Sequence, residues 1–371
     1  MVRNNSQHSK HRPSSINIIL FISGIQQLGI GVANVHAAFK WYRQHFGIDV
    51  PVFEEAAVAA LMLPYTGGQP QARHAILALN MQGGGGMEIW QYTGRTPVPP
   101  AFQPRLGDLG IFIGKIKSKN VQATFHELRK KDVNLLTNPT TRPDGKEHFY
   151  MKDPWGNIFE IMAADDWFST GRPQHTGGMY GAVIGVTDMA ASMAFYKKVL
   201  GYDRILCDQE GIFEDWQGVE GAFEPCRRVI LTHSEQRKGP FSRLLGNSEI
   251  ELVQGKSGTP RKIYENRFWG DLGFIHLCFD ITGMEEMKEH CTALGHPFTV
   301  DARGSFDMGE AAGYFSYIED PNGTLIEFVE THKIPILRQI NWYLDLRKRR
   351  RPENPLPKWM LSTMGWNRQK D

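Results

Sequence analysis

The chain has few cysteines, almost no excess charge and no long apolar run, and each absence narrows its class. The four cysteines, Cys207, Cys226, Cys278 and Cys291, all lie in the second half without CxxC spacing. This pattern argues against a disulfide framework or a zinc knuckle and predicts reduced, mostly buried thiols of an intracellular, cytoplasmic protein. A formal net charge of +2 argues against a dedicated nucleic-acid binder. No stretch approaches the length of a transmembrane helix.

The remaining composition is that of a globular protein. A chain of 371 residues with 41% hydrophobic content is too long for one ordinary core and suits two domains. Residues 1–15 are polar and basic and precede an apolar run at 16–22, an order that resembles a secretory signal. The run is short and no A-x-A site follows it. We therefore predict that residues 1–23 form a disordered tail with a possible extra strand.

The sequence contains an internal repeat. The segment GDLGIFI at 107–113 recurs as GDLGFIH at 270–276, and DPWGNIFEI at 153–161 recurs as DPNGTLIEF at 320–328. Because the matches keep their order, one structural unit has been duplicated. The offset between matched positions is 201 − 47 = 154 near the start of the repeat and 327 − 160 = 167 near its end. This growth predicts loop insertions in the second copy.

Each repeat divides again into two similar modules. Residues 24–32 alternate like a strand, residues 35–46 have helical spacing, and three short strand-like runs follow. After a proline-rich loop at 93–105 the same order restarts. The predicted fold is α+β, with tandem paired βαβββ modules, four in all. The predicted domains are a first repeat at 24–165, a linker at 166–177, a second repeat at 178–332 and an extension at 333–371.

These features resemble the vicinal oxygen chelate superfamily, which includes glyoxalase I, extradiol dioxygenases and bleomycin-resistance proteins. The resemblance rests on the paired βαβββ order and on the D-P-x-G-x-x-x-E ending of each repeat, and it covers about residues 24–332. It implies that each repeat curls its strands into a half-open cup. It also implies that the first and last strands of the modules carry ligands for a divalent metal.

The resemblance places four ligand positions in each repeat. Glyoxalase I-like members have Gln or His, Glu, His and Glu at these positions, and each repeat here matches three of the four. Extradiol dioxygenases use two histidines and one glutamate within one repeat, a pattern that neither repeat has, which argues against that chemistry. The positions are Gln27, Glu88, Ile113 and Glu160 in the first repeat, and Gly181, Glu251, His276 and Glu327 in the second.

The second repeat is the predicted active one, because it has the histidine. Glu251, His276 and Glu327 are expected to hold Zn, Ni, Mn or Fe and to leave coordination positions open for substrate. Glu251 and Glu327 would be the catalytic carboxylates. The alternative is that His276, in the apolar strand GFIHLCF, is a core residue. Tyr314 and Tyr317 are candidates for the substrate pocket, or for aromatic packing.

The first repeat lacks a histidine at its ligand positions. Glu88 and Glu160 are therefore predicted to be hydrogen-bonded structural residues, or relics of an inactive secondary site. Gln27 belongs to the same degenerate set, as a possible ligand or as a polar residue at the end of a strand. The sequence leaves open whether the repeats complete a site within one chain or within a homodimer.

Two functions remain open. The first is a metal-dependent lyase or isomerase of the glyoxalase type, whose metal binds two neighbouring oxygens of a small substrate. The second is a metal-free protein that sequesters an aromatic or amphiphilic molecule, as bleomycin-resistance proteins do. The surroundings of His276 distinguish them. The enzyme is favoured if Glu251, His276 and Glu327 point into one cavity with oxygen and nitrogen atoms close enough to share an ion. The binder is favoured if His276 is buried against apolar side chains and hydrogen-bonded to the backbone.

The resemblance ends at His332. Residues 336–350 place Ile336, Ile340, Tyr343 and Leu344 on one helical face, which predicts a C-terminal helical extension. Its basic end, RKRRR at 347–351, is either a solvated helix terminus or a site for an anionic partner such as a membrane surface.

Overall fold

The computed structural model describes residues 20–302, 306–308, 311–337 and 342–370 and confirms the α+β fold of four βαβββ modules. Module one contains β1 (Phe21–Gly31), α1 (Val35–Phe46), β2 (Val50–Ala59), β3 (Gln71–Leu79) and β4 (Gly86–Tyr92). Module two contains β5 (Gly110–Ser118), α2 (Val121–Lys130), β6 (Asn134–Leu135), β7 (Thr140–Thr141), β8 (Glu147–Lys152) and β9 (Ile158–Ala163).

The second repeat follows the same order. Module three contains β10 (Thr176–Gly185), α3 (Met189–Leu200), β11 (Arg204–Gly211), β12 (Cys226–Thr232), α4 (Ser242–Leu245) and β13 (Glu249–Gly255). Module four contains β14 (Gly273–Thr282), α5 (Met284–Ala293), β15 (Val300–Asp301), β16 (Phe306–Met308), β17 (Ala311–Glu319) and β18 (Leu325–Thr331). The short helix α4, between β12 and β13, has no counterpart in module one and is part of the insertion that the growing offset predicts.

The modules pair across the repeats. Modules one and four form a first sheet of nine strands, in which β1 and β14 are antiparallel neighbours. Modules two and three form a second sheet of nine strands, joined by antiparallel β5 and β10. Within a module the first strand pairs on one side only, so its other edge needs a partner. The expectation that each repeat forms its own cup is therefore wrong. The first cup is the concave face of the first sheet, and the second cup is that of the second sheet.

The two modules of one repeat are linked by hydrogen bonds between the repeated sequence motifs. In the first repeat the hydroxyl of Tyr42, on α1, donates a hydrogen bond of 2.6 Å to Asp153 in the DPWGN turn. In the second repeat Tyr196, on α3, donates one of 3.1 Å to Asp320 in the DPNGT turn. These four side chains are buried, so each bond satisfies polar atoms that would otherwise be costly. Hydrogen bonds between a helix and a turn thus link the two modules within each repeat, whereas strand pairing links one repeat to the other.

The helices and strands share one large core. Its buried apolar residues come from both sheets and from α1, α2, α3 and α5. Since side chains alternate along a strand, the opposite faces of the sheets are left to line the two cups. The four cysteines are buried and free of disulfide bonds, as predicted.

The C-terminal extension differs from its prediction. Residues Lys333–Leu337 (β19) and Trp342–Asp345 (β20) form an antiparallel hairpin, so the helix predicted over 336–350 is wrong there. The helix of the extension is instead short and lies at Lys358–Thr363 (α6). The prediction was wrong because, over so short a run, β-branched and aromatic residues fit a strand as well as one face of a helix. Ile340 lies outside the described residues.

Two other predictions concern the ends and the surface. Of the tail predicted at residues 1–23, residues 1–19 lie outside the described residues, and Phe21 and Ile22 belong to β1 and not to a separate strand. In the basic run, the exposed Arg347 pairs with Asp345 through its Nη2 at 2.9 Å. Within the described part of the chain, no helix is both long and apolar enough to cross a membrane.

Candidate metal centre

Four predicted ligand positions converge in the first cup, and they come from both repeats. Gln27 lies on β1, Glu88 on β4, His276 on β14 and Glu327 on β18. These are four adjacent strands of the first sheet. Gly29 lies two residues after Gln27 on the same face of β1, and it pairs with Glu88 on one side and His276 on the other. The cup therefore holds the full Gln, Glu, His and Glu set that neither repeat has alone.

The side chains of this set are close enough to share an ion. Nε2 of His276 lies 3.0 Å from Oε2 of Glu327 and 3.3 Å from Oε2 of Glu88. Nε2 of Gln27 donates to Oε2 of Glu327 at 3.3 Å. Ligand atoms of the two glutamates and the histidine all lie within 4.8 Å of one another. Ligands of a tetrahedral zinc ion at about 2.0–2.2 Å are separated by similar distances.

Unsatisfied buried atoms support a cation at this point. Oε1 of Gln27 and both ring nitrogens of His276 are buried without a hydrogen-bond partner among the described residues. The short distance between His276 and Glu327 thus lacks the orientation of a hydrogen bond. Buried polar atoms are rarely left unpaired. An ion bound by Nε2 of His276 and by three oxygens would satisfy that nitrogen and Oε1 of Gln27, so the residues fit a divalent metal.

Electrostatics point in the same direction. Burial disfavours a charged His276 ring, but the carboxylates of Glu327 and Glu88 outweigh burial and raise the pKa of His276 to about 9. The same neighbours favour any cation at the centre of the set. A divalent ion would displace the proton, since metal and proton compete for the same nitrogen.

A glycine makes room for the histidine. A Cβ atom placed on Gly29 would lie 2.5 Å from Nδ1 and 2.7 Å from Nε2 of His276. Side-chain atoms do not approach so closely, so any residue larger than glycine must displace the ring. Gly29 is therefore part of the site, although it contributes no ligand.

We expect Gly29→Ala to weaken metal binding at least about tenfold, because the displaced imidazole no longer meets the carboxylates. Overpacking of this kind also costs about 1–3 kcal/mol of stability. Gly171→Ala is the matched control, because a Cβ there meets no atom within 4 Å. The measurement is a metal titration beside a thermal melt. Wild-type affinity in Gly29→Ala would contradict this account of the site.

A cavity of about 390 Å³ opens onto the centre. This volume is in the range of small-molecule sites. Gln27, Glu88 and Glu327 line it, while His276 is fully buried against the two glutamates. Arg73 supplies a cationic lining group, and it is already paired with Glu55 at 2.7 Å. Much of the remaining wall is apolar, with Phe53, Met62, Leu77, Trp90, Trp269, Phe315 and Val329.

Of the two tyrosines predicted to line the pocket, one does so. Tyr317 lines the cavity, and its ring lies edge-on to His276 with centroids 5.4 Å apart. Tyr314 belongs to the core shared with the helices, and its hydroxyl donates to Asp301. The two residues are three apart on β17, so they face opposite sides of the sheet. The prediction of both in the pocket is therefore wrong for Tyr314.

Glu251 and Glu160 lie in the second cup, not with His276. Both contact Nζ of Lys115, at 2.5 and 2.6 Å. The predicted set of Glu251, His276 and Glu327 is thus wrong, because β13 and β14 belong to different sheets. Glu88, predicted to be structural or a relic, takes the place expected of Glu251.

A third group of potential ligands lies outside both cups. His36 of α1, Glu54 of β2 and His74 of β3 have ligand atoms within 4.8 Å of one another. The side chains of His36 and Glu54 are 65% and 39% exposed. Neither His36, Glu54 nor His74 lines the cavity described above.

The profile of the Glyoxalase/Bleomycin resistance protein/Dioxygenase superfamily matches the chain over residues 24–161 and 174–328. This match includes both repeats and most of the sequence, and the protein belongs to this superfamily. No curated protein matches the sequence. Members of the superfamily bind small molecules, and many of them use a divalent metal.

Solved structures share the fold. A glyoxalase I variant from Zea mays is 14% identical, with a TM-score of 0.51 over 83% of this chain and 92% of that chain. A candidate dioxygenase from Bacillus subtilis is also 14% identical, with a TM-score of 0.54 over 84% of this chain and 86% of that chain. At this level of identity the similarity extends to the fold and not to the reaction.

Proposed function

We propose that the protein is a metal-dependent enzyme of the vicinal oxygen chelate type, with one active site in the first cup. The observation that carries the proposal is the convergence of Gln27, Glu88, His276 and Glu327 beside the cavity. A bound divalent ion would ligate two neighbouring oxygens of the substrate and stabilise negative charge on them. The reaction class is isomerase or lyase, in which a proton moves at a carbon next to these oxygens.

The side chains divide this work between them. Glu327 is held by Gln27 and His276 on two sides. Glu88 has a single close contact among the described residues, with Nε2 of His276, and it is the more exposed of the two glutamates at 13% against 8%. The freer carboxylate, on Glu88, is the one we assign as proton acceptor from the substrate carbon. Glu327 serves as a fixed ligand.

The cavity wall limits the substrate. Because Arg73 is neutralised by Glu55, the wall offers no free cation among the described residues for a second anionic group. Aromatic and aliphatic side chains surround the rest of the space. The substrate is therefore a small molecule with two neighbouring oxygens on an apolar or aromatic body.

The metal-free binding function has less support. It requires His276 to be packed against apolar side chains and bonded to the backbone. Instead, its ring lies between two carboxylates, and its nitrogens have no hydrogen-bond partner in the described part of the chain. A protein that only sequesters an apolar ligand gains nothing from two buried carboxylates, because a protonated imidazole carries one charge and neutralises only one of them.

The test is reconstitution of metal-free protein with Mn, Fe, Ni or Zn, followed by assays with apolar α-hydroxyketones, hemithioacetals, acyl epimers and catechols. Glu88→Gln should keep the metal and lose turnover by about 10²–10⁴-fold, as expected for loss of a general base. Glu54→Gln is the control, because Glu54 lies on β2 of the same sheet but does not line the cavity. Failure to bind any of these metals would reject the proposal, and normal turnover by Glu88→Gln would reject its proton acceptor.

A further inference from the structure

The second cup contains a buried ion-pair cluster that the proposed function does not use. Nζ of Lys115 lies 2.6 Å from Oε2 of Glu160, 2.8 Å from Oε1 of Glu249 and 2.5 Å from Oε2 of Glu251. All four side chains are fully buried. The three glutamates have ligand atoms within 4.8 Å of one another, like the three residues of the first cup.

Sheet register places this cluster where the first cup has its candidate metal centre. Glu160 lies opposite Lys115, as Glu327 lies opposite Cys278. Lys115 therefore occupies the position of Cys278, two residues beyond the position of His276 and on the same face of its strand. The other pair of strands corresponds in the same way, with Glu251 opposite Val183 and Glu88 opposite Gly29.

We propose that Glu160, Glu249 and Glu251 form a latent divalent-cation site, and that the ammonium group of Lys115 fills it in the native protein. An ammonium is a compact charge with three donors, and here each donor meets one carboxylate. In the first cup, the residue in the same register is the neutral, buried Cys278, which leaves its centre open to an ion. In the second cup the cation is therefore a side chain of the protein, the ammonium group of Lys115.

The surrounding charges complete the neutralisation that a single ammonium begins. Nη1 of Arg142 donates to Oε1 of Glu249 at 2.5 Å, and Nε of Arg228 donates to Oε1 of Glu251 at 2.6 Å. Burial opposes charge on Lys115, yet the three glutamates outweigh burial and raise its pKa. The pKa of Glu249 is lowered despite its burial, chiefly by Arg142 and then by Lys115. Each of the three carboxylates therefore faces at least one cationic side chain.

A loop of module three occupies the space that corresponds to the substrate side. Trp216 donates from Nε1 to the hydroxyl of Tyr150 at 2.8 Å and packs on Arg228, whose guanidinium carbon lies 4.2 Å from the ring centroid. Phe213 and Trp216 belong to the apolar cluster of the second cup. Both the ion position and the ligand position are therefore filled by the chain itself.

The experiment removes the competing sites first. His276→Ala combined with Glu88→Gln and Glu327→Gln removes the imidazole and both carboxylates of the first cup, and His74→Ala eliminates the surface group. Lys115→Met is then added to this background. Each protein is stripped of metal, incubated with Mn²⁺ at pH 8 and dialysed. Mn²⁺ is the probe because carboxylate oxygens suit it better than they suit the softer metals. Bound metal is measured by mass spectrometry.

The background protein should bind almost no Mn²⁺, and Lys115→Met should raise this to about one ion per chain. Its melting temperature should rise with added Mn²⁺. Adding Glu251→Gln, which removes one carboxylate, should abolish the gain. A folded Lys115→Met protein that takes up no Mn²⁺ would overturn the proposal. So would Mn²⁺ binding by the background protein that disappears with Glu160→Gln.

Lys115→Gln keeps the proposal testable if the methionine variant does not fold. Glutamine retains a polar group and should allow partial Mn²⁺ binding, with stabilisation of the protein by the ion. If neither variant folds with or without Mn²⁺, three glutamates cannot hold an ion there, and the proposal fails. The outcome does not depend on the first cup, because His276 is absent from every protein in the series.

Discussion

Replacing His276 with alanine is expected to remove bound metal and to lower turnover by more than about 100-fold. This loss should exceed the roughly 10–100-fold that follows removal of a group that only orients a ligand. The reason is geometric, because Nε2 of His276 lies between Glu88 and Glu327, at 3.3 and 3.0 Å from their carboxylate oxygens. Without it, two carboxylates and one amide remain, and softer metals bind such a set poorly. Metal content after dialysis and the shift of the melting temperature on metal addition measure the effect.

His148→Ala is the matched control. His148 is also fully buried between two carboxylates, 2.8 Å from Glu160 and 3.3 Å from Asp215, but it lies in the second cup. This variant should lose stability and keep its metal. A bound metal would stabilise the wild-type protein by mass action, by about 2.7 kcal/mol at 100 times the dissociation constant, and of these variants only His276→Ala should lose this gain. Equal metal content in His276→Ala and wild type would exclude a metal centre in the first cup.

The fold was predictable because its signals are local and repeated. Alternation marks the strands, and α1 and α3 begin with the N-cap residues Asn34 and Asp188, whose side chains accept from the backbone three residues on. The closing glycines Gly47 and Gly201 adopt the left-handed conformation with φ of 65° and 74°. These requirements are met within a few residues of sequence, so a single chain displays them.

The pairing of the modules was not predictable in the same way. Which first strand joins β1 depends on long-range edge pairing, and both β5 and β14 have the same GDLG-type opening. A signal for the correct choice was nevertheless present. Ile113 and Gly181 are the two positions at which a repeat lacks a ligand residue, and both lie in the second cup. With this pairing the four positions of the first cup all carry ligand residues.

Lys115 is a second residue from which the arrangement of the second cup could have been predicted. A lysine inside the apolar strand GIFIGKIK is costly to bury unless carboxylates surround it. Its inward position, two residues after Ile113, predicts contact with the glutamates of the last strands. The same lysine explains why Glu160 and Glu251 do not need a metal.

The largest expected loss of stability follows from Arg228→Met in the second cup. Nη1 of Arg228 donates to both oxygens of Asp215 at 2.9 and 2.7 Å, and Nε donates to Glu251 at 2.6 Å. The arginine is fully buried. Methionine fills the volume but leaves two carboxylates without this partner, and breaking a buried pair in this way costs about 3–5 kcal/mol. Urea unfolding of the two proteins measures the difference.

The adjacent arginine provides the control for this experiment. Arg227, on the same strand, also makes two hydrogen bonds to one aspartate, Asp208, at 2.9 and 2.8 Å. Its side chain is 31% exposed and that of Asp208 is 33% exposed, so Arg227→Met should cost no more than about 1 kcal/mol. Both arginines bind carboxylates, but Arg228 is buried and binds two of them, whereas Arg227 is partly exposed and binds one. Equal losses of unfolding free energy in the two variants would contradict this prediction. They would mean that Asp215 and Glu251 are neutralised without Arg228.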